Sequence, residues 1–75
     1  MVFRLYWESN LTKPVTLESF EAAKSRIEIE FPGAVYGKWV PDAAKRGSHP
    51  RLMNAYANRH DKIDSKRVAL IKEVP

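Results

Sequence analysis

Histidines, serines and carboxylates are the side chains best suited to chemistry in this sequence. His49 and His60 fall in different turns, and neither belongs to a spacing that metal sites use. Ser25, Ser48 and Ser65 lack the strand-to-helix context of an activated nucleophile, and the three glycines form no phosphate-binding loop. The chain has no cysteine, which excludes thiolate chemistry. We therefore predict a protein that is not an enzyme, with no catalytic residues, metal site or cofactor.

The carboxylates do not change this prediction. An acid–base pair requires at least one buried member whose pKa is displaced from its ordinary value. Most of the nine carboxylates fall on a predicted helix or in predicted loops, where burial is not expected. These are Glu18, Glu21, Glu28, Glu30, Asp42, Asp61 and Asp64.

Cations form the second group of interest, and they are concentrated in the later part of the chain. The first 37 residues contain four basic and five acidic residues, whereas the remainder contains nine basic and four acidic ones. The segment PDAAKRGSHPR contains Lys45, Arg46 and Arg51 but no apolar side chain larger than alanine. Burial cannot hold such a loop, so its cations are available to an acidic partner. The alternative is a solvated connection between two strands.

Hydrophobic periodicity predicts the elements that position these residues. Met1 to Glu8 alternates, which predicts a strand with Phe3, Leu5 and Trp7 on its core face. Three more strands are predicted from alternation and from β-branched or aromatic residues, and a turn, HDKIDS, separates the last two. They span Ala34 to Val40, Arg51 to Arg59 and Lys66 to Val74.

One helix is predicted between the first two of these strands. Phe20, Ala23 and Ile27 recur at helical spacing, which indicates a helix from Leu17 to about Glu30. Thr16 is the expected N-cap, and the Pro-Gly pair after Phe31 is the expected stop. Ile29 does not fit the apolar face, and the alternation of IEIEF leaves a strand as the alternative for this end.

The predicted fold is therefore α+β, in the order β-α-β-β-β, with a single helix packed on one face of a small antiparallel sheet. A length of 75 residues supports one core, so residues 1–75 are expected to form a single domain.

No apolar run approaches the ~20 residues that span a bilayer. Arg4 and Glu8 interrupt the apolar N-terminus, so no signal peptide or membrane contact is expected. The absence of cysteine fits a cytoplasmic location.

The sheet face opposite the helix is the predicted platform for a partner. Aromatic rings beside cations on an open sheet can stack bases while holding phosphates, and tyrosines on such a face also serve protein interfaces. The residues assigned to this face are Arg4, Tyr6, Tyr36, Lys38, Asn54 and Tyr56. Two basic loops would flank it, one with Lys45, Arg46 and Arg51 and one with Arg59, Lys62, Lys66 and Arg67.

The piece VTLESFEAAKSRIEIEFPGAVYGKWV, from Val15 to Val40, resembles a pattern of short phage-encoded proteins: a T-x-x-x-A-x-x-x-A/I helix, an abrupt turn and a strand. Several type I anti-CRISPR proteins and a phage inhibitor of bacterial RNA polymerase are similar to it. The resemblance implies a single helix against a short antiparallel sheet, and a stoichiometric inhibitor that occupies a surface of a larger host machine. It transfers no binding residue, because these families share shape rather than a signature.

Together these observations predict a non-enzymatic binding protein, encoded by a phage or mobile element, that docks on a host protein or ribonucleoprotein complex such as a CRISPR effector. No small-molecule substrate is expected. Direct nucleic-acid binding through the basic loops and open sheet face is one alternative, and an oligomer-forming accessory protein is another. The predicted partner-binding residues are Tyr36, Lys38, Trp39, Lys45, Arg46, Arg51, Tyr56 and Arg59.

Overall fold

The computed structural model describes residues 2–42, 51–59 and 61–74, which form one helix and six strands in a single antiparallel sheet. The strand order is β2-β1-β6-β5-β3, and β4 pairs with the same strand, β5, as β3 does. The elements in chain order are β1 (Val2–Trp7), β2 (Asn10–Leu17), α1 (Phe20–Glu30), β3 (Val35–Tyr36), β4 (Val40–Pro41), β5 (Arg51–Arg59) and β6 (Lys62–Val74). The prediction of an α+β fold with one helix on an antiparallel sheet is confirmed, whereas the order β-α-β-β-β is only partly correct.

Strand β2 is the element that the sequence prediction missed. The sequence analysis predicted no strand here and placed Thr16 and Leu17 at the helix start, because Asn10 and Pro14 are poor strand formers. The strand lies at the sheet edge, where a proline is tolerated because it interrupts no ladder on its outer side. Pairing with β1 places Leu17 opposite Phe3 and Val15 opposite Leu5. Tertiary pairing therefore overrides weak local propensity here.

The helix begins later than predicted for the same reason. Thr16 belongs to β2, and the N-cap is Ser19, whose hydroxyl accepts a hydrogen bond from the backbone N–H of Ala22 at 3.1 Å. The predicted end is confirmed, since α1 continues to Glu30 and Phe31 caps it. Ile29 is helical and 76% exposed, so the alternative of a strand at this end is wrong.

The three later strands follow the prediction with local changes. β5 has the predicted bounds, whereas the expected strand from Ala34 to Val40 is divided into β3 and β4. Between them the backbone N–H of Gly37 still donates to the carbonyl of Asn54 at 2.8 Å, so this edge follows β5 along its length. β6 is longer than predicted, and the β5–β6 turn contracts to a few residues around Asp61, which has φ of +62°.

The core lies between α1 and one face of the sheet, as the predicted helix and strand faces require. Leu5, Ile27 and Ile71 are the largest fully buried side chains. Smaller buried residues allow α1 to approach the sheet, and these are Ala23, Ala34, Ala55 and Ala69. The rings of Phe3, Trp7, Phe20 and Phe31 pack around this centre while remaining partly exposed. Every residue that the sequence placed in the core contacts it.

The N-cap can be tested directly. Replacing Ser19 with alanine removes the acceptor for the Ala22 N–H and should lower the free energy of unfolding by about 1 kcal/mol. Ser19→Asn is the matched control, because asparagine supplies an equivalent acceptor and should retain most of the stability. Urea denaturation of both variants provides the measurement, and equal losses would show that the cap contributes nothing.

Candidate partner-binding surface

The sheet face opposite α1 is covered by no other element among the described residues. Because Phe3, Leu5 and Trp7 of β1 point toward the helix, the alternate residues of β1 and their direct partners in the neighbouring strands point away from it. We call this set the open face. Its members are Val2, Arg4 and Tyr6 of β1, Thr16 of β2, Leu70, Lys72 and Val74 of β6, Leu52, Asn54 and Tyr56 of β5, and Val40 of β4.

Two cations occupy the middle of the open face. Arg4 and Lys72 are directly opposite each other on β1 and β6, an arrangement that costs stability because like charges lie side by side. The Lys72 ammonium lies 3.2 Å from the carboxylate of Asp42 and 5.3 Å from the ring centroid of Tyr6. Arg4 is exposed and has no ion-pair partner among the described residues. Within the part of the chain that the structure describes, Arg4 is therefore a positive charge at the centre of this face without an ion-pair partner.

Aliphatic side chains surround these cations. Val2 and Val40 are 37% and 40% exposed, and Leu52 and Val74 are partly exposed. Leu70, between Tyr6 and Asn54 in the neighbouring strands, is almost buried. An antiparallel sheet that faces water on one side usually alternates apolar and polar residues, so a water-facing side this apolar is unusual. The combination of aliphatic surface and a central cation is typical of a protein interface.

One corner of the open face is fixed by polar contacts. Arg67 donates to the side-chain carbonyl of Asn54 at 3.1 Å and forms an ion pair with Glu8. These contacts join β1, β5 and β6 where β1 ends. The guanidinium of Arg67 is therefore engaged within the chain, unlike that of Arg4.

Two residues predicted to bind a partner lie on the helix side of the sheet instead. Tyr36 is opposite Ala55, a core residue, and its hydroxyl donates to the backbone carbonyl of Lys24 at 3.4 Å. Burial, and secondarily the charge of Glu28, raises the pKa of Tyr36 above its ordinary value. Trp39 packs against Phe20 with ring centroids 5.3 Å apart. The assignment of Tyr36 to the open platform is wrong, because the β3–β5 register turns this side chain toward α1.

Arg51 is a structural residue of the sheet rather than a loop cation. It opens β5 and forms a two-pronged ion pair with Glu73, with Nε–Oε1 and Nη2–Oε2 distances of 2.6 and 3.3 Å. Its guanidinium also lies 5.2 Å from the ring centroid of Trp39. The hydrogen bond to Glu73 raises the pKa of Arg51, so its charge persists at any ordinary pH. The prediction that Arg51 is an unpaired loop cation available to an acidic partner is therefore wrong.

The remaining predicted residues are spread over the sheet. Lys38 is exposed between β3 and β4. Tyr56 alternates with buried Ala55 and Ala57 along β5, so it lies on the open face as predicted, opposite Arg67. Arg59 lies at the far end of β5, where its guanidinium is 3.7 Å from Asp64 and 6.0 Å from the ring centroid of Phe31. Lys45 and Arg46, with His49 and His60, lie outside the described residues.

The aliphatic part of the open face was missed by the sequence interpretation, although a signal for it existed. β6 contains Leu70 and Val74 on one face and Ala69 and Ile71 on the other, so it is apolar on both sides. A strand that is apolar on both faces indicates that both are used. Arg4, Tyr6 and Asn54 were correctly placed on the open face.

Comparison of the chain with protein-family models, curated proteins and solved structures finds no match. Within the described residues, no helix is long and apolar enough to span a membrane, and no three potential ligand side chains cluster in a way that could hold a metal ion.

The Arg51–Glu73 pair generates a stability prediction. The Glu73 side chain is only 9% exposed, so Arg51→Ala would leave a nearly buried carboxylate without its partner. We expect the melting temperature to fall by roughly 5–10 °C, as judged by circular dichroism. The matched control is Arg59→Ala, which removes an exposed cation whose contact with Asp64 is looser and should change the melting temperature by less than about 3 °C.

A second substitution separates loss of the pair from loss of arginine packing on Trp39. In the Arg51→Ala background, Glu73→Gln removes the buried charge and should recover part of the lost melting temperature. If Glu73→Gln brings no recovery, the contribution of Arg51 comes from its packing and the ion pair is not what stabilises this corner of the sheet.

Proposed function

We propose that this protein is a non-enzymatic binding protein that docks through the open face onto an acidic patch of a larger protein complex. The observation that carries the proposal is the like-charged Arg4–Lys72 pair, which lies among the aliphatic side chains of the open face. Asp42 compensates Lys72, whereas no described residue compensates Arg4. A carboxylate from a partner at this position would relieve the repulsion and pair with the exposed guanidinium of Arg4.

Aliphatic side chains favour a protein partner over a nucleic acid. Val2, Val40, Leu52 and Val74 offer surface that gains free energy only when water is removed by another apolar surface. Single-stranded nucleic acids are bound by aromatic platforms within basic grooves. On the open face Tyr6 and Tyr56 offer such rings, and the ammonium of Lys72 already lies near that of Tyr6. Direct nucleic-acid binding is therefore the second candidate.

The resemblance of Val15 to Val40 to small phage-encoded inhibitors supports the nature of the partner. Those proteins act by occupying a surface of a host machine, which requires a stable docking face and no catalytic residues. We extend the proposal to a stoichiometric inhibitor of a host protein or ribonucleoprotein complex in the cytoplasm, with a CRISPR effector as the leading example. The small sheet with one uncovered side suits this role.

The proposal can be tested by charge reversal at the centre of the face. Tagged protein is used to capture partners from bacterial lysate, and the affinity for the captured complex is then measured by surface plasmon resonance. Arg4→Glu should weaken binding at least tenfold, about 1.4 kcal/mol, because it places an acid against the acidic patch. Far-ultraviolet circular dichroism checks that the variant is folded.

Arg26→Glu is the matched control, since Arg26 is an exposed cation on α1 and the substitution changes the net charge equally. This variant should bind as the parent does. If the parent, Arg4→Glu and Arg26→Glu capture the same complex with the same affinity, the open face is not the docking surface. Steeply salt-dependent gel shifts with random DNA or RNA that Arg4→Glu abolishes would favour the nucleic-acid candidate instead. Concentration-dependent dimers in sedimentation that Arg4→Glu disrupts would show that the face pairs with a second copy.

A further inference from the structure

A cleft lies on the other side of the sheet, at the end of α1. It has a volume of about 290 Å³ and is lined by Trp7, Ser9, Glu30 and Phe31. Its volume is at the lower end of the range for ligand sites, so it suits a small group. None of its lining residues belongs to the open face, and the cleft is independent of the docking function proposed above.

Two aromatic rings form the apolar part of this cleft. The ring centroids of Trp7 and Phe31 are 6.3 Å apart, and the planes are inclined by 43°. Both rings are partly exposed, although they pack on the core. The face of an aromatic ring carries the negative part of its quadrupole, so a cation that contacts both rings is attracted to each.

The polar part of the cleft is negative. Glu30 is exposed, and no described residue forms an ion pair or side-chain hydrogen bond with its carboxylate. The cleft also lies at the C-terminal end of α1, where the helix dipole is negative and the last turn contains no basic residue. Pro32 adds to this, because it has no N–H to offer the carbonyl groups at the helix end. The Glu30 carboxylate and the negative end of α1 therefore both favour a positive ligand.

The chain already uses one of these rings to hold a cation. The guanidinium of Arg59 lies 6.0 Å from the ring centroid of Phe31, but Arg59 does not line the cleft and lies within 3.7 Å of Asp64. Glu30 and Trp7 remain available. We propose that the Trp7–Phe31–Glu30 cleft binds an alkylammonium cation, either a free quaternary ammonium compound or a lysine side chain of a protein partner.

The probe for this site is choline chloride, compared with 3,3-dimethyl-1-butanol, which has nearly the same shape and no charge. Binding is followed by the chemical shifts of the two tryptophan indole N–H groups. Trp7 lines the cleft, whereas Trp39 packs against Phe3 and Phe20 and serves as an internal reference. Choline should shift the Trp7 signal with a Kd on the order of 1 mM, and sodium chloride at equal ionic strength should not.

Two variants test the parts of the cleft separately. Glu30→Gln should weaken choline binding about fivefold, because it removes the carboxylate charge from the cleft. The control is Glu18→Gln, which makes the same charge change at an exposed residue just before the opposite end of α1 and should leave choline binding unchanged. Phe31→Leu keeps apolar volume but removes an aromatic face, and it should weaken binding about threefold or more. Amide spectra that match the parent elsewhere show that each variant is folded.

Several results of the choline titration would contradict the proposed alkylammonium site. Equal chemical-shift changes of the Trp7 indole N–H with choline and with the neutral alcohol would show that the cleft has no preference for charge and would overturn the proposal. A Trp7 chemical shift that does not saturate up to ~100 mM choline would also overturn it. A binding constant unaffected by Glu30→Gln would also overturn it. If choline binds, titration with Nα-acetyl-lysine N-methylamide, which keeps its side-chain ammonium group, distinguishes the two sources of the cation. An affinity comparable to that of choline indicates a lysine side chain of a protein partner, and a much weaker one indicates a free quaternary ammonium ligand.

Discussion

The structure depends on the pairing of β1 with β6, the first and last strands of the chain. Residues from Val2 to Trp7 pair in unbroken register with residues from Val74 to Ala69, and the central pair, Leu5 and Ile71, is completely buried. Each of these strands is paired on its other side, β1 with β2 and β6 with β5. Removing this contact would separate the β1–β2 hairpin from β6, β5, β3 and β4, and an isolated two-stranded hairpin is at most marginally stable in water. Since closing such a long loop costs chain entropy, the buried Leu5–Ile71 centre must offset it.

A single helix on a sheet of this width has a direct consequence for function. α1 covers the side that contains Leu5 and Ile71, and no described element covers the other side. A small domain cannot fill both sides of its sheet, yet β6 is apolar on both. The uncovered side retains aliphatic residues and Arg4, which has no ion-pair partner among the described residues and lies beside Lys72 at a small cost in stability. Such a surface is suboptimal for the free protein, and for this reason we propose that it docks on a partner.

The sequence by itself determined the elements whose signals are local. The 3.6-residue spacing of Phe20, Ala23 and Ile27 identified the helix and its buried side, and Pro32-Gly33 identified its end. The period-two alternation of β1 identified which residues face the core. These predictions succeeded because helical spacing and strand alternation are properties of neighbouring residues and need no knowledge of the pairing partner. For the same reason, part of the open face could be assigned before the structure was known.

Only the tertiary structure decided which strands pair and therefore which side chains meet. The sequence of β2 has a weak propensity for strand, and β2 forms because it pairs with the edge of β1. Tyr36 faces the helix because of the register between β3 and β5. Arg51 meets Glu73, and Arg4 meets Lys72, across long stretches of chain. A one-residue change in register moves a side chain to the opposite face, and register is fixed by burial and hydrogen bonding over the whole sheet. The faces of single elements were thus encoded locally, whereas the ion pair at the sheet corner and the like charges at the centre of the open face arose only from the assembled fold.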